Sequence, residues 1–239
     1  MTEAVRMPTP GGSQTLDRGV SILELLAEAP AGLTIDEVAR HLTVHRSIAY
    51  RLLRTLEDHR LIVRDSQGRI VLGPRMAALA AGVSSDLQAS SLPELRAVAQ
   101  ELGMTCFLTV LDADECVTLV SVEARSTIAA SVAQRPGARH AITVGAPGKA
   151  ILSALPESEW PEGISPELRA EIHAIALRGF ATSHDEVIAT VQAVSVPLVT
   201  RRLQPAALAV MYVGATRDPA VLANRLLVAA AAIRVALDG

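Results

Sequence analysis

The stretch from Thr34 to Leu72, TIDEVARHLTVHRSIAYRLLRTLEDHRLIVRDSQGRIVL, constrains the fold more than any other part of the chain. Ile35, Val38, Ala39 and Leu42 recur at the spacing of one helical face, and Thr34 followed by Glu37 has the form of a capping box. Beyond Thr43-Val44 a second helix is predicted, with Ile48, Ala49, Leu52, Leu53 and Leu56 turned inward. At Leu61 the pattern changes to two short strands, Leu61–Arg64 and Arg69–Leu72, joined by the polar turn Asp65-Ser66-Gln67-Gly68. Two helices, a tight connection and a hairpin spell a winged helix-turn-helix.

The polar side of the second helix points to DNA. His45, Arg46, Ser47, Tyr50, Arg51 and Arg54 stand where a recognition helix in the major groove presents donors to base edges and phosphates. Arg64 and Arg69 flank the wing and are candidates for the minor groove or the backbone. Residues 45–75 hold seven Arg against Glu57, Asp58 and Asp65, a balance of +4. Residues 76–239 hold eleven Arg and Lys149 against sixteen carboxylates, a balance of −4. Positive charge is therefore concentrated where the motif needs phosphate contacts, and double-stranded operator DNA is the expected partner. The plainer alternative is a solvated, Arg-rich helix face beside an ordinary hairpin.

A chain of 239 residues with this charge asymmetry suggests two domains. Half of the residues are hydrophobic but only 2% are aromatic, so the cores are expected to be aliphatic. Cys106 and Cys116 fall in apolar segments and suit buried thiols of a reducing compartment. Met1–Ser13 is polar and rich in Pro and Gly and is expected to be a disordered arm. No uncharged apolar run reaches the ~18 residues of a membrane span, so no membrane partner is expected and a cytoplasmic location is.

Along the chain, Thr15–Ala29 carries Leu16, Val20, Leu23, Leu26 and Ala27 at helical spacing and stops at Pro30. The segment from Arg75, after Gly73-Pro74, is predicted to be a connecting helix. A mixed pattern follows: a helix over Leu92–Leu102, strands over Met104–Leu111, Cys116–Val122 and Thr127–Ala133, and an irregular stretch through Pro147. Helices are expected from Gly148 to Leu155 and Pro166 to Leu177, inner strands over Ala193–Val199 and Ala206–Val213, and a closing helix over Asp218–Leu237. This is an α+β pattern with a largely antiparallel sheet. The domain reading is a winged helix-turn-helix with its arm over 1–75, a linker helix over 76–91, and an α+β domain over 92–239.

Three segments, LDRGVSILELL, RSIAYRLLRTL with RIVLGPR, and GAPGKAILSAL, resemble the IclR family of bacterial transcription regulators, and the likeness spans nearly the whole chain. The resemblance implies a winged helix joined to a GAF-like effector-binding and oligomerisation domain over 92–239, in homodimers or homotetramers on palindromic operators. Departures bear on the effector. Thr143 and Gly145 stand where many members have His and Thr, Ala193 where a Cys often lines the pocket, and Met211 and Val213 where serines can face the ligand. Thr190 replaces a usual Gly. Each change at the pocket removes a polar handle, and a buried carboxylate needs donors. The expected effector is a small molecule more apolar than an oxoacid, such as an aromatic or acyl compound. Its site is expected between the sheet and Thr143–Lys149, near the backbone of Gly145 and Ala146, with Phe107, Ala193, Met211 and Val213 as walls.

Other constellations are weaker. GAPGKA lacks the spacing of a phosphate-binding loop, since Thr143 and Ala150 stand where that motif needs Gly and Ser or Thr. Lys149 reads as a solvated residue or an interdomain contact. His140, His173 and His184 have no paired ligand spacing, so neither a metal nor a cofactor is expected. Asp185-Glu186 reads as a solvated turn or an effector rim, and Trp160 as a loop aromatic. No nucleophile is flagged, and no enzyme is expected. Two alternatives stand beside the regulator: an enzyme with an appended DNA-binding domain, and a constitutive DNA-binding protein with a degenerate sensor.

Overall fold

The computed structural model describes residues 12–124, 134–200, 204–214 and 217–238, and the chain divides into two compact units, Met1–Val83 and Ser84–Gly239. The strand expected over Thr127–Ala133, and the arm up to Gly11, lie outside the described residues.

The first unit is built from α1 (Gln14–Glu28), α2 (Ile35–His41), α3 (Arg46–Asp58) and the antiparallel strands β1 (Ile62–Arg64) and β2 (Ile70–Leu72). Ile22, Leu26, Val38, Ala49, Leu53, Ile62 and Ile70 make its core. The inner face of α1 is Gly19, Ile22 and Leu26, so Leu16 and Val20, expected inside, stand exposed. The Thr34–Glu37 capping box forms in full. Thr43 takes a positive φ in the tight turn, where the Val44 N–H donates to the Ala39 carbonyl. In the wing, the Asp65 carboxylate accepts from the N–H groups of Gln67 and Arg69, which pins the turn.

The linker helix expected over 76–91 is instead divided. A short α4 (Arg75–Ala80) ends before Gly82, and α5 (Ser85–Leu102) begins after Ser84, whose positive φ of 45° breaks the helical path.

The second unit holds strands β3 (Thr105–Asp112), β4 (Glu115–Val122), β5 (Arg139–Ala141), β6 (Ala181–His184), β7 (Val191–Leu198) and β8 (Ala206–Val213) in one antiparallel sheet, order β5-β4-β3-β8-β7-β6. Its helices are α6 (Gly145–Ala154), α7 (Pro166–Arg178) and α8 (Pro219–Asp238), besides α5. Alternation sorts the strands onto two buried faces. Cys106, Leu108 and Val110 of β3, with Leu208 and Val210 of β8, join Leu95, Leu226 and Ile233 of α5 and α8. Phe107, Ala193, Ala209 and Met211 join Ala146, Ile151 and Ile175 of α6 and α7. With both faces covered, β3 and β8 read as nearly continuous apolar runs. Within the stretch expected to be irregular, β5 is a three-residue edge strand, too short to show a period. By length and composition α8 is apolar enough to cross a membrane, yet Leu222, Ala223, Leu226, Ala229, Ala230 and Ile233 bury one side of it within its own unit.

Candidate DNA-reading face and sensor face

The α3 helix separates its two sides cleanly. Ala49, Leu52 and Leu53 are buried, whereas Ser47, Tyr50, Arg51 and Arg54, at positions i, i+3, i+4 and i+7, form an exposed stripe. His45 caps the helix: its Nδ1 accepts from the Ser47 N–H at 3.3 Å and lies 2.9 Å from the Ser47 hydroxyl. A hydrogen bond with Tyr50, with the nearby Asp58 and Glu57 carboxylates, raises the Arg54 pKa above its ordinary value. Arg46 is ion-paired with the exposed Asp36 of α2. Such a surface pair is worth about 0–1 kcal/mol, so it yields readily to a phosphate. Arg51 has no carboxylate partner among the described residues.

The two wing arginines take different places. Arg64 lies 3.4 Å from Glu57 and stays at the surface. Arg69 turns inward: its Nε donates to the carbonyls of Ala31 (3.0 Å) and Gly32 (3.1 Å), and its Nη2 to Gly32 (2.8 Å) and the Glu37 carboxylate (3.0 Å). The same Glu37 oxygen accepts from the Thr34 N–H at 2.7 Å and its hydroxyl at 2.9 Å. The Thr34 N–H is the main cause holding the Glu37 carboxyl below the usual range, with the Thr34 hydroxyl and Arg69 adding to it. Arg69 therefore fastens the wing to the α2 cap, because four hydrogen bonds to three fixed acceptors outcompete a surface role.

In the second unit, Phe107, Ala193 and Met211 do share one buried face with Ala146. Gly145 starts α6 beside them, while Thr143 is half-buried just ahead of that helix. Val213 is 42% exposed at the end of β8, opposite Val191, and does not join the wall. The GAPGK motif explains its glycines. Gly145 has φ +78°, and a Cβ on Gly148 would sit 2.1 Å from the Ile142 carbonyl oxygen. The helix thus begins at Gly145, three residues earlier than its apolar pattern suggests.

Lys149 overturns its solvated reading. It is 3% exposed, and its Nζ lies 2.8 Å from Glu171 of α7 and 2.7 Å from Glu186, in the loop between β6 and β7. The other Glu186 oxygen accepts the Gly145 N–H at 2.8 Å. A carboxylate at a helix N-terminus is favoured by the dipole and by the unpaired amides there. The anion at this helix end is the protein's own. Trp160, read as a loop aromatic, donates its indole N–H to the carbonyls of Leu152 (3.0 Å) and Leu155 (3.2 Å) and so closes the other end of α6.

Residues 15–66 match the model of the IclR helix-turn-helix domain, and residues 80–217 that of the bacterial transcriptional regulator IclR C-terminal domain. The chain belongs to the IclR family. It is 29% identical over 211 residues to the HTH-type transcriptional regulator Rv1719 of Mycobacterium tuberculosis, covering 79% of this chain and 81% of that protein. Among solved structures, an IclR transcriptional regulator from Alicyclobacillus acidocaldarius superposes with a TM-score of 0.82 at 25% identity, over 95% of this chain and all of that one. An IclR homolog from Microbacterium hydrocarbonoxydans, complexed with 4-hydroxybenzoate, has a TM-score of 0.80 at 22% identity, over 94% and 99% of the two chains. The winged helix-turn-helix joined to an α+β domain is thus the IclR architecture, and the protein is a DNA-binding transcription regulator of this type.

The IclR framework makes one departure costly. Thr190, where the resemblance leads to the expectation of a Gly, takes φ +67°, a conformation that β-branched residues rarely adopt. Its N–H is held by the Asp185 carboxylate, and the loop between them carries Glu186 to α6. Replacing Thr190 with Gly relieves left-handed strain of about 1–2 kcal/mol and returns part of it as chain entropy. A net gain of about 1 kcal/mol is expected in urea unfolding, and a loss in stability would show that the loop holds no strain.

Both cysteine thiols are buried, on opposite faces of the sheet, and burial pushes each up to about 12. At neutral pH they are protonated core groups rather than nucleophiles.

Proposed function

We infer that this IclR regulator reads a palindromic operator with the stripe Ser47, Tyr50, Arg51 and Arg54, aided by His45, Arg46 and Arg64, and that a small organic effector biases this binding. The observation that carries the reading is the separation of α3 into a buried apolar side and an exposed donor-rich side on a capped helix. A homodimer or homotetramer fits two half-sites spaced by one helical turn of DNA. Supporting it, Val221, Val228 and Val235 recur every seven residues on the exposed side of α8, a spacing suited to self-association. The protein acts in the cytoplasm, without a catalytic step of its own, on a neighbouring or catabolic operon.

The effector site lies on the sheet face shared by Phe107, Ala193 and Met211, close to Gly145 and Ala146. Two observations support an apolar effector. Aliphatic and small side chains dominate that face, and Glu186 already holds the helix end where an oxoacid would seek donors. Apolar burial contributes about 25 cal/mol per Å² without fixed donors. Differential affinity for two arrangements of the protein is what lets such a ligand act.

The test is a mobility-shift titration of the full chain on DNA upstream of its own and adjacent genes, with a panel of acids, aromatics and acyl compounds. Sequence-specific binding that falls steeply with salt and shifts with an apolar compound is expected. Indifference to DNA sequence would overturn the operator reading. A response to glyoxylate or pyruvate alone would overturn the apolar effector.

A further inference from the structure

Two hydroxyls on the sensor face are left over by the packing. Thr109 of β3 is 1% exposed, and neither its Oγ1 nor the buried Oγ of Ser121 on β4 finds a hydrogen-bond partner among the described residues. Both belong to the α6 side of the sheet. Thr109 alternates with Leu108 and Val110, which face the other core, and Ser121 stands opposite Phe107. The register shift between Leu108 and Thr109 turns both Leu119 and Val120 to the outer face, and so keeps Thr118 and Ser121 together on the inner one. The neighbouring hydroxyls are not idle in this way: Thr118 accepts from the Gln134 amide at 2.7 Å, and Ser195 donates to the Leu208 carbonyl at 3.1 Å. Thr109, two residues along β3 from Phe107, and Ser121, opposite Phe107 on β4, therefore carry unused donors and acceptors on one face.

At its α6 end this face already holds one cation against two carboxylates. Lys149, the buried cation at its α6 end, is matched by Glu171 and Glu186. A ligand carboxylate would enter as a third negative charge beside a Lys149 that is already paired, whereas a neutral hydroxyl or carbonyl group would complete the hydrogen bonds of Thr109 and Ser121 without adding charge. We propose that Thr109 and Ser121 form the polar floor of the effector site, and that the effector is an uncharged, largely apolar molecule bearing a hydroxyl or carbonyl group. This inference rests on the effector reading given above.

The experiment pairs a ligand-free measurement with a binding one on the full chain. Thr109→Val keeps the side-chain shape and removes the unpaired hydroxyl, so the melting temperature of the ligand-free protein rises by about 2 °C; Ser121→Ala behaves likewise. Calorimetry then compares benzyl alcohol and benzamide with benzoate and toluene. Wild type binds the alcohol or amide at least about tenfold more tightly than benzoate, and each variant loses roughly five- to tenfold for the alcohol or amide while toluene is unaffected. A fall in melting temperature in both variants would mean hydroxyls already satisfied in the folded protein and would overturn the proposal. Equal or tighter binding of benzoate overturns it as well, as does binding indifferent to both substitutions, with the effector reading left standing. Should no member of the panel, neutral or anionic, bind wild type, the effector site itself is lost and the floor with it.

Discussion

Lys149→Met is expected to lower the unfolding free energy by about 2–3 kcal/mol. Removing one partner of a fully buried ion pair costs about 3–5 kcal/mol, because the other charge stays desolvated. Here Glu171 and Glu186 keep 40% and 32% side-chain exposure, so water recovers part of the loss. Met fills most of the Lys volume, so the loss reports charge rather than a cavity. Glu186→Gln should cost less, since the amide oxygen still accepts the Gly145 N–H. The double variant should be less than additive, because both changes act on one contact. Urea unfolding of the four proteins measures this. A loss under about 0.5 kcal/mol for Lys149→Met would mean that the network contributes nothing net, in contradiction to its burial.

On the DNA side, Arg51→Ala is expected to weaken operator binding by about 1–3 kcal/mol and to relax specificity at one base pair. Arg46→Ala should weaken binding to all sequences and reduce the salt slope by about one, as loss of a phosphate contact does. Arg69→Ala behaves differently. With its hydrogen bonds to Ala31, Gly32 and Glu37 gone, it lowers the melting temperature, and DNA affinity falls only through a loosened wing. Anisotropy titrations at several salt concentrations, alongside thermal melts, separate these effects. Unchanged affinity in both Arg46→Ala and Arg51→Ala would remove α3 from the interface. Unchanged stability in Arg69→Ala would return that residue to the candidate DNA contacts.

The helices and hairpin of the first unit were legible because their signals are local. A 3.6-residue period, a capping box and a polar turn act over three to eight neighbours, and the structure reproduces them within a residue or two. The antiparallel sheet was legible for the same reason where strands are eight residues long, as in β3 and β8. It was not legible at β5, whose three residues pair only because β4 offers an edge. The inner face of α1 was misread because Leu16 and Val20 fit a helical period as well as Ile22 does; only packing against α3 and β2 chooses between them.

The sequence by itself determined most of the helices, the long strands and where positive charge gathers, since each of these rests on near neighbours, and three motifs carried the resemblance to the IclR family. Tertiary structure alone decided what the charged and hydroxyl side chains do. Arg69 meets Glu37 across 32 residues, Lys149 meets Glu186 across 37, and Gly145 meets Glu186 across 41. Ser121 and Thr109 come to one face through a shift in strand register. A side chain's ionic partner or its lack of one depends on desolvation and close approach, and both are set by strand order and helix packing rather than by anything its neighbours in sequence encode.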